Sequence, residues 1–382
     1  MKRRIAAALA ATSLSIALAA PVAAAPTAAH RQLDPSVSKK LDKAITDVMR
    51  RAGVPGVTVG LWIPGKGQYV RSFGVADKRT HARMSPRLNM RIGSDTKTFT
   101  ITGLLRLVDL GKIKLDDPIS RYVSGVPGGS KISLRQLAEM RSGLFSYSED
   151  PGFDKALMSN PRKPWTPRQL LSYAFKHPAK FKPGTKFDYS NTNTILLGLA
   201  IEKVSGQSLR DFLRREVFEP AHLKHTVFPK GAEFPSPHAH GYTNQTLNGK
   251  TADATNWDPS WGWAAGAIIS DLNDLHSWAR TLATGSLLSA KTQAQRLRFL
   301  PTGFPGTGYG LGIFDNHGWI GHNGSLPGYQ AAVVYLPQTK ASLVVLSNSD
   351  TSYQGYEPST LFAQAITRIV TPGHVYSLPK AP

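Results

Sequence analysis

The chain has 382 residues, 41% of them hydrophobic, enough for one large two-lobed domain or two ordinary ones and against disorder away from the ends. It carries 46 Lys and Arg against 25 Asp and Glu, a formal net charge of +21, and no cysteine, which excludes disulfides, thiolate chemistry and a lipoprotein anchor. The basic residues are scattered, with no long Lys/Arg run and no RNA-binding signature. The charge therefore points to anionic wall polymers or lipid head groups, or to solubility alone, and not to nucleic acid.

At the start, Lys2, Arg3 and Arg4 precede an apolar run from Ile5 to Ala20 and then a small-residue stretch. This is the pattern of a secretory signal peptide over residues 1–29, cleaved between Ala23 and Ala29. A membrane anchor is the alternative, but the run is about 16 residues and no charged stop-transfer sequence follows. Cleavage leaves a formal charge of +18, because no Asp or Glu precedes Asp34. The expected product is secreted, extracellular or wall-associated, monomeric and without a membrane span.

From Pro35 to Arg51, Val37, Leu41, Ile45 and Val48 recur at helical spacing. Val57 to Ile63 predicts a strand, Pro64-Gly65-Lys66-Gly67 a turn, and Gln68 to Val75 a second strand. The middle changes to helical patterns over Thr98–Leu110, Leu134–Met140, Pro167–Lys176, Thr194–Val204 and Leu209–Val217. Ala331 to Leu336 and Ser342 to Ser347 then predict paired strands, and a last helix carrying Phe362, Ala365, Ile366 and Ile369 is expected to pack beside the first. Strands at both ends with helices between them imply an α/β (α+β) fold in which an antiparallel sheet is flanked by the terminal helices. The α/β lobe is expected over about 33–95 and 262–382, with an inserted all-helical lobe over about 96–261. A cleft between the lobes is the natural place for a site.

The strongest local signal is Ser94-Asp95-Thr96-Lys97 at the head of a helix. Residues three apart share a helix face, so the hydroxyl meets the amine, and a desolvated Lys of lowered pKa can activate a Ser as nucleophile. A helix N-terminus adds N–H groups and a dipole for a developing oxyanion. Taken alone, the pattern also fits a Ser N-cap beside a solvated Lys. Pro183 to Asn191 ends in Tyr189-Ser190-Asn191, types suited to proton transfer and amide recognition, although a buried Tyr and a capping Asn would look the same. The third element is His322-Asn323-Gly324-Ser325, where glycine would let a substrate backbone lie against a strand; a lone His is more often structural.

The order and spacing of the three, with Tyr189 about 90 residues after Lys97 and His322 about 130 after that, resemble the motifs of penicillin-binding proteins and class C β-lactamases. The resemblance extends to Leu104–Leu115 with Asp116-Asp117-Pro118, to Ile132–Leu144 and to Trp261–Asp271, and is greatest to secreted D-alanyl-D-alanine carboxypeptidases. It implies the β-lactamase/DD-peptidase fold, Ser94 as nucleophile, Lys97 as its base and Tyr189 as proton relay to the leaving group. Asn191 would hold the acyl-side amide, His322 would stand where β-lactamases have a Lys, and the N–H groups of Ser94 and Ser325 would form the oxyanion hole. Asn323, Gly324 and Ser325 would bind substrate, and Trp261 and Phe153 would wall the cleft. No metal or organic cofactor is implied.

Two positions depart from the pattern. After Tyr309-Gly310-Leu311-Gly312 the family's carboxypeptidases have an Arg that grips the substrate carboxylate, whereas this chain continues Ile313-Phe314-Asp315. Such a charge-assisted pair is worth ~1.5–3 kcal/mol. Met140 stands where the commoner residue is His, with an expected effect on packing. No carboxylate is clearly placed as a deacylation base. The resulting expectation is a serine hydrolase acting on D-alanyl peptides and acylated by penicillins. An esterase or weak β-lactamase on the same scaffold is the alternative, and a non-catalytic wall-binding protein the minor one.

Overall fold

The computed structural model describes residues 31–380. The secretory leader expected over residues 1–29 lies outside the described residues.

The chain opens with helix α1 (Pro35–Ala52) and the hairpin β1 (Gly56–Ile63) and β2 (Gly67–Gly74), followed by the short strand β3 (Met90–Arg91). Helices α2 (Thr96–Asp109), α3 (Leu134–Ala138), α4 (Pro151–Ser159), α5 (Pro167–Ala174), α6 (Asn191–Ser205) and α7 (Leu209–Leu213) fill the middle. The short strands β4 (Tyr242–Thr243) and β5 (Ala252–Asp253) pair with each other. Next come α8 (Trp263–Gly266), β6 (Ile269–Ser270), α9 (Leu272–Thr284) and α10 (Ala290–Arg296). Strands β7 (Leu300–Pro301), β8 (Thr307–Tyr309), β9 (Phe314–Asn316), β10 (Trp319–Leu326), β11 (Tyr329–Leu336) and β12 (Ala341–Ser347) precede the closing helix α11 (Pro358–Val370).

Eight strands form one antiparallel sheet in the order β2-β1-β12-β11-β10-β9-β8-β7, so the N-terminal hairpin joins the C-terminal strands through Val57 opposite Ser347. Local chemistry sets the ends of α1: the Asp34 side chain accepts from the Ser36 N–H, Pro35 takes the first turn, and Gly53 closes it at φ 65°. Alternation then divides the sheet between two cores. Val57, Val59, Leu61, Ala332, Val334, Leu343 and Val345 meet Leu41, Ile45 and Val48 of α1 and Phe362 and Ile366 of α11. Ala331, Val333, Val344 and Leu346 on the other face join the core of the central helices, with Phe99, Leu104, Ile195, Leu196 and Trp278. The terminal helices thus share one face of the sheet, as expected, and the site lies on the other.

Several elements differ from expectation. The 96–261 segment is not wholly helical, because it includes the β4–β5 ladder. Helix α6 starts three residues early, at Asn191, and the helix expected to run to Val217 changes after Leu213 to a π-helix over Arg214–Phe218. Helices α4, α9 and α10 have no counterpart in the sequence reading, although Asp150, Asp271 and Ser289 each cap one of them through the side chain.

Candidate active site

Ser94 sits in a 3₁₀ turn, Gly93–Asp95, that feeds directly into α2, and Lys97 lies in the first turn of that helix. The Lys97 Nζ donates to Ser94 Oγ at 2.8 Å and to the Ala265 carbonyl at 2.9 Å. That carbonyl belongs to α8, which is tied to α2 by Thr100 Oγ1 donating to Ala264 O and by the Ile268 N–H donating to Thr96 Oγ1. Trp263, at the head of α8, has φ 32°, a strained conformation for a bulky residue. Lys97 is 0% exposed, and burial holds its amine well below the ordinary lysine value, against the opposing pull of Asp95. Asp95 is buried as well, and burial raises its carboxyl despite Lys97.

The turn that carries Ser94 lies directly on β10. A Cβ on Gly324 would come 1.8 Å from Ile92 O and 2.8 Å from Ser94 N, and one on Gly93, where φ is 53°, would come 2.5 Å from Ser325 N. Glycine is the residue that permits this approach at both positions. Strand β9 pairs with β10 over Trp319–Gly321, so β10 presents an edge to this turn from His322 onward. In the hairpin Leu326 pairs with Tyr329 across a two-residue turn, which puts Ser325 at a non-hydrogen-bonded position of the β10–β11 ladder. Its N–H therefore points to the open edge, on the side of Ser94.

Tyr189 lies against Lys97. Its ring centroid is 4.9 Å from Lys97 Nζ, and its ring stacks with that of Phe314 at 6.3 Å. The hydroxyl is buried beside Ser94. Burial raises the phenol's pKa, the neighbouring Ser94 hydroxyl lowers it, and the charges of Glu357 and Asp95 raise it further. The loop before it is held by Lys180, which pairs with Glu149 at 2.7 Å and Asp188 at 2.8 Å, and by the Asp188 N–H donating to Met140 O. Met140 does more than pack: its sulfur accepts from Asn193 Nδ2 at 3.4 Å, and its backbone carries φ 57°.

His322 is 1% exposed. Burial, with Lys97 beside it, pushes its pKa down to about 3, although the Asn323 carbonyl works the other way. The Nδ1 bond to that carbonyl fixes the proton on Nδ1, so Nε2 accepts from the Tyr309 hydroxyl at 3.2 Å. The imidazole is neutral, and it adds no cation where the resemblance gives β-lactamases a Lys.

The other predicted site residues separate. Asn191 lies at the head of α6, its Nδ2 donating to Ser148 Oγ at 2.8 Å, and Gly324 faces Ser94 as described. The Asn323 side chain takes the opposite face. It pairs across the ladder with Ala332, whereas His322 pairs with Val333, and its Nδ2 donates to Glu357 Oε2 at 2.9 Å. Ser325 Oγ accepts from Gln330 Nε2 at 3.3 Å, while its backbone N–H faces the side of Ser94. Phe153 is not a cleft wall: it is buried among Tyr147, Trp165, Tyr173 and Trp261. Trp261 is half-buried above it, and its carbonyl accepts from Tyr147 Oη at 2.6 Å. Over the stretch lacking the Arg, Ile313 is buried, Phe314 lies 5.0 Å from His322 between ring centroids, and Asp315 accepts from the Gly318 N–H. Glu357 and the Ala265 carbonyl went unnoticed in the sequence. Only the Trp261–Asp271 landmark pointed toward the second.

Comparison with known proteins agrees with this geometry. The family model described as Beta-lactamase matches residues 41–365. A D-stereospecific amidohydrolase from Streptomyces sp. superposes with a TM-score of 0.79 at 29% identity, covering 88% of this chain and 99% of that one. The D-amino acid amidase of Ochrobactrum anthropi SV3, solved with D-phenylalanine, gives a TM-score of 0.78 at 27% identity over 88% of this chain and 99% of that one. The octameric penicillin-binding protein homologue from Pyrococcus abyssi gives 0.74 at 27% identity over 87% and 77%. With the match spanning sheet, helices and the Ser94–Lys97 turn alike, the chain belongs to the beta-lactamase family and is a serine hydrolase.

Proposed function

We propose that the protein hydrolyses an amide or ester bond next to a D-aminoacyl group through an acyl-enzyme on Ser94. The observation that carries this reading is the 2.8 Å contact of a fully buried Lys97 with Ser94 Oγ. A neutral Lys97 takes the Ser94 proton as Oγ bonds to the substrate carbonyl carbon. The carbonyl oxygen gains the charge and is held by the N–H groups of Ser94 and Ser325. Collapse breaks the bond to the leaving group, which receives its proton from the Lys97 side through Tyr189. Water then attacks the ester and returns Ser94, with the same groups exchanging the same proton.

The D-configured substrate is supported by the likeness to the Streptomyces amidohydrolase and the Ochrobactrum amidase. A D-alanyl-D-alanine carboxypeptidase of the cell wall is the narrower reading, supported by the three motifs and by the likeness to a penicillin-binding protein homologue. The neutral His322 and the absence of Arg over 313–315 favour amides and esters over substrates ending in a carboxylate.

The test is mass spectrometry of the protein after incubation with an activated p-nitrophenyl ester and with a fluorescent penicillin, alongside Ser94→Ala. Turnover of D-phenylalanine amide and a D-Ala-D-Ala peptide is measured in parallel. An adduct on the peptide containing Ser94, absent in the variant, is expected. No adduct and no turnover of ester, amide, peptide or β-lactam would overturn the reading in favour of a wall-binding protein.

A further inference from the structure

Helices α1 and α11 share the face of the sheet away from Ser94, and between them lies a cavity of about 220 Å³. Drug-sized ligands occupy about 300–1,000 Å³, so this one suits something smaller. Its apolar part includes Val48 and Leu361, its walls include Tyr353 and Tyr356, and Arg51 and Arg368 reach it from the last turns of the two helices. The tyrosines are held by a tight turn. Each backbone N–H donates to the other's carbonyl, at 2.9 and 3.0 Å, across Gln354 at φ 53° and Gly355 at φ 82°. Gln354 lines the cavity as well, and a left-handed backbone is uncommon for a residue with a Cβ. Such conformations concentrate at ligand clamps.

The charge around this cavity has one sign. Among the described residues no Asp or Glu lines it, and neither Arg51 nor Arg368 forms an ion pair. Arg51 Nε donates to the Asp47 carbonyl at 3.3 Å, while the Asp47 carboxylate is taken by Lys43 and Arg50. Lys380 adds a third cation, 5.4 Å from the centroid of the Tyr356 ring, and Glu357, next in sequence, gives its carboxylate to Asn323. A cation in a last helical turn ordinarily answers the helix dipole. Here two of them, from different helices, meet at one cavity beside aromatic rings.

We propose that this cavity binds the phosphate ester of a small polyol or sugar, with the phosphate on Arg51 and Arg368 and the carbon skeleton on Tyr353 and Tyr356. A guanidinium fork matches phosphate oxygens bidentately and keeps its charge at any working pH. The C–H face of a polyol or sugar packs on the flat apolar face of an aromatic ring, a contact that bare phosphate lacks. A free ester and one unit of a polyol-phosphate polymer present the same group. The site is independent of the Ser94 chemistry, which lies across the sheet.

The experiment is calorimetric titration of the protein with glycerol phosphate, inorganic phosphate, glycerol and a poly(glycerol phosphate) chain. The buffer holds about 0.1 M salt, which screens exposed charges beyond about 10 Å. Glycerol phosphate is expected to saturate one site per chain and to bind more tightly than inorganic phosphate, with no binding of glycerol. Arg51→Gln combined with Arg368→Gln should weaken it by about 10-fold or more, the scale of one lost charge-assisted hydrogen bond. The exposed pair Lys39→Gln with Lys40→Gln removes the same charge roughly 17 Å away along α1 and should leave binding unchanged. Tyr356→Ala should erase the advantage over inorganic phosphate. Equal weakening by the two double variants, inorganic phosphate bound as tightly as glycerol phosphate, or no saturable binding of glycerol phosphate overturns the proposal. The polymer arm separates the sources, and both of its outcomes support the site: tighter binding per phosphate than glycerol phosphate marks a polymer, and equal binding per phosphate a free ester.

Discussion

Lys97 works against the fold that contains it. Burial penalises its ammonium, and folding holds its pKa below the value it would have in the open chain. Between those two values the unfolded chain binds more protons than the folded one, so this residue makes stability rise with pH across that window and fall again toward neutral pH. The same desolvation makes the amine a base at moderate pH. Lys97→Met is therefore expected to reduce acylation by about 10²–10⁴-fold while raising the melting temperature at pH 7. Thermal scans of both proteins from pH 7 to 10.5 should show a wild-type slope that the variant lacks. A lower melting temperature for Lys97→Met, or parallel slopes, would show that the amine is not held neutral by burial. His322, lowered from 6.5 to about 3 by burial, adds a slope of the same sign at lower pH, between those two values, and so contributes little within the pH 7 to 10.5 scan.

At the scale of elements, the decisive contact is between the 3₁₀ turn of Ser94 and the edge of β10. Gly324→Ala would put a Cβ 1.8 Å from Ile92 O, and backbone cannot yield there without moving Ser94 away from Ser325. The expected outcome is loss of Ser94 acylation by at least about 100-fold, the scale of losing one oxyanion donor, with the far-ultraviolet circular dichroism spectrum retained. Acylation within a few-fold of wild type would mean that the turn does not dock as described. This contact also shows what a sequence can reveal. Ser94 and Lys97 were readable because their meeting is local to one helical turn, and Tyr189 because it sits in a compact motif. The hairpin of β1 and β2 and the paired β11 and β12 were readable through alternation and turn chemistry. Strand β10 was obscured by Gly321 and Gly324, the glycines its close packing requires, and α6 by the polar Asn191-Thr192-Asn193 of its first turn. The Asn323–Glu357 bond joins residues 34 apart in sequence, and the fate of the Asn323 side chain depends on which face of the sheet it takes. No local pattern encodes that.

Across the whole molecule the charge is divided unevenly. The chain carries +21, yet the charges acting on the Tyr189 side of the pocket are acidic, and the amine inside it is the buried Lys97. Catalytic chemistry and net charge are therefore separable: the first depends on desolvated groups that salt barely screens, the second on exposed groups that it screens within about 10 Å at 0.1 M. Adhesion to an anionic polymer would draw on the second alone. Retention on beads bearing a polyphosphate or teichoic acid is expected at 50 mM salt and should be lost by about 0.5 M, where screening falls to a few ångströms. Ser94→Ala should be retained to the same extent, while turnover of a neutral amide should change little over the same salt range. Retention that survives high salt, or that depends on Ser94, would instead place polymer recognition in the cleft and make the basic surface a matter of solubility.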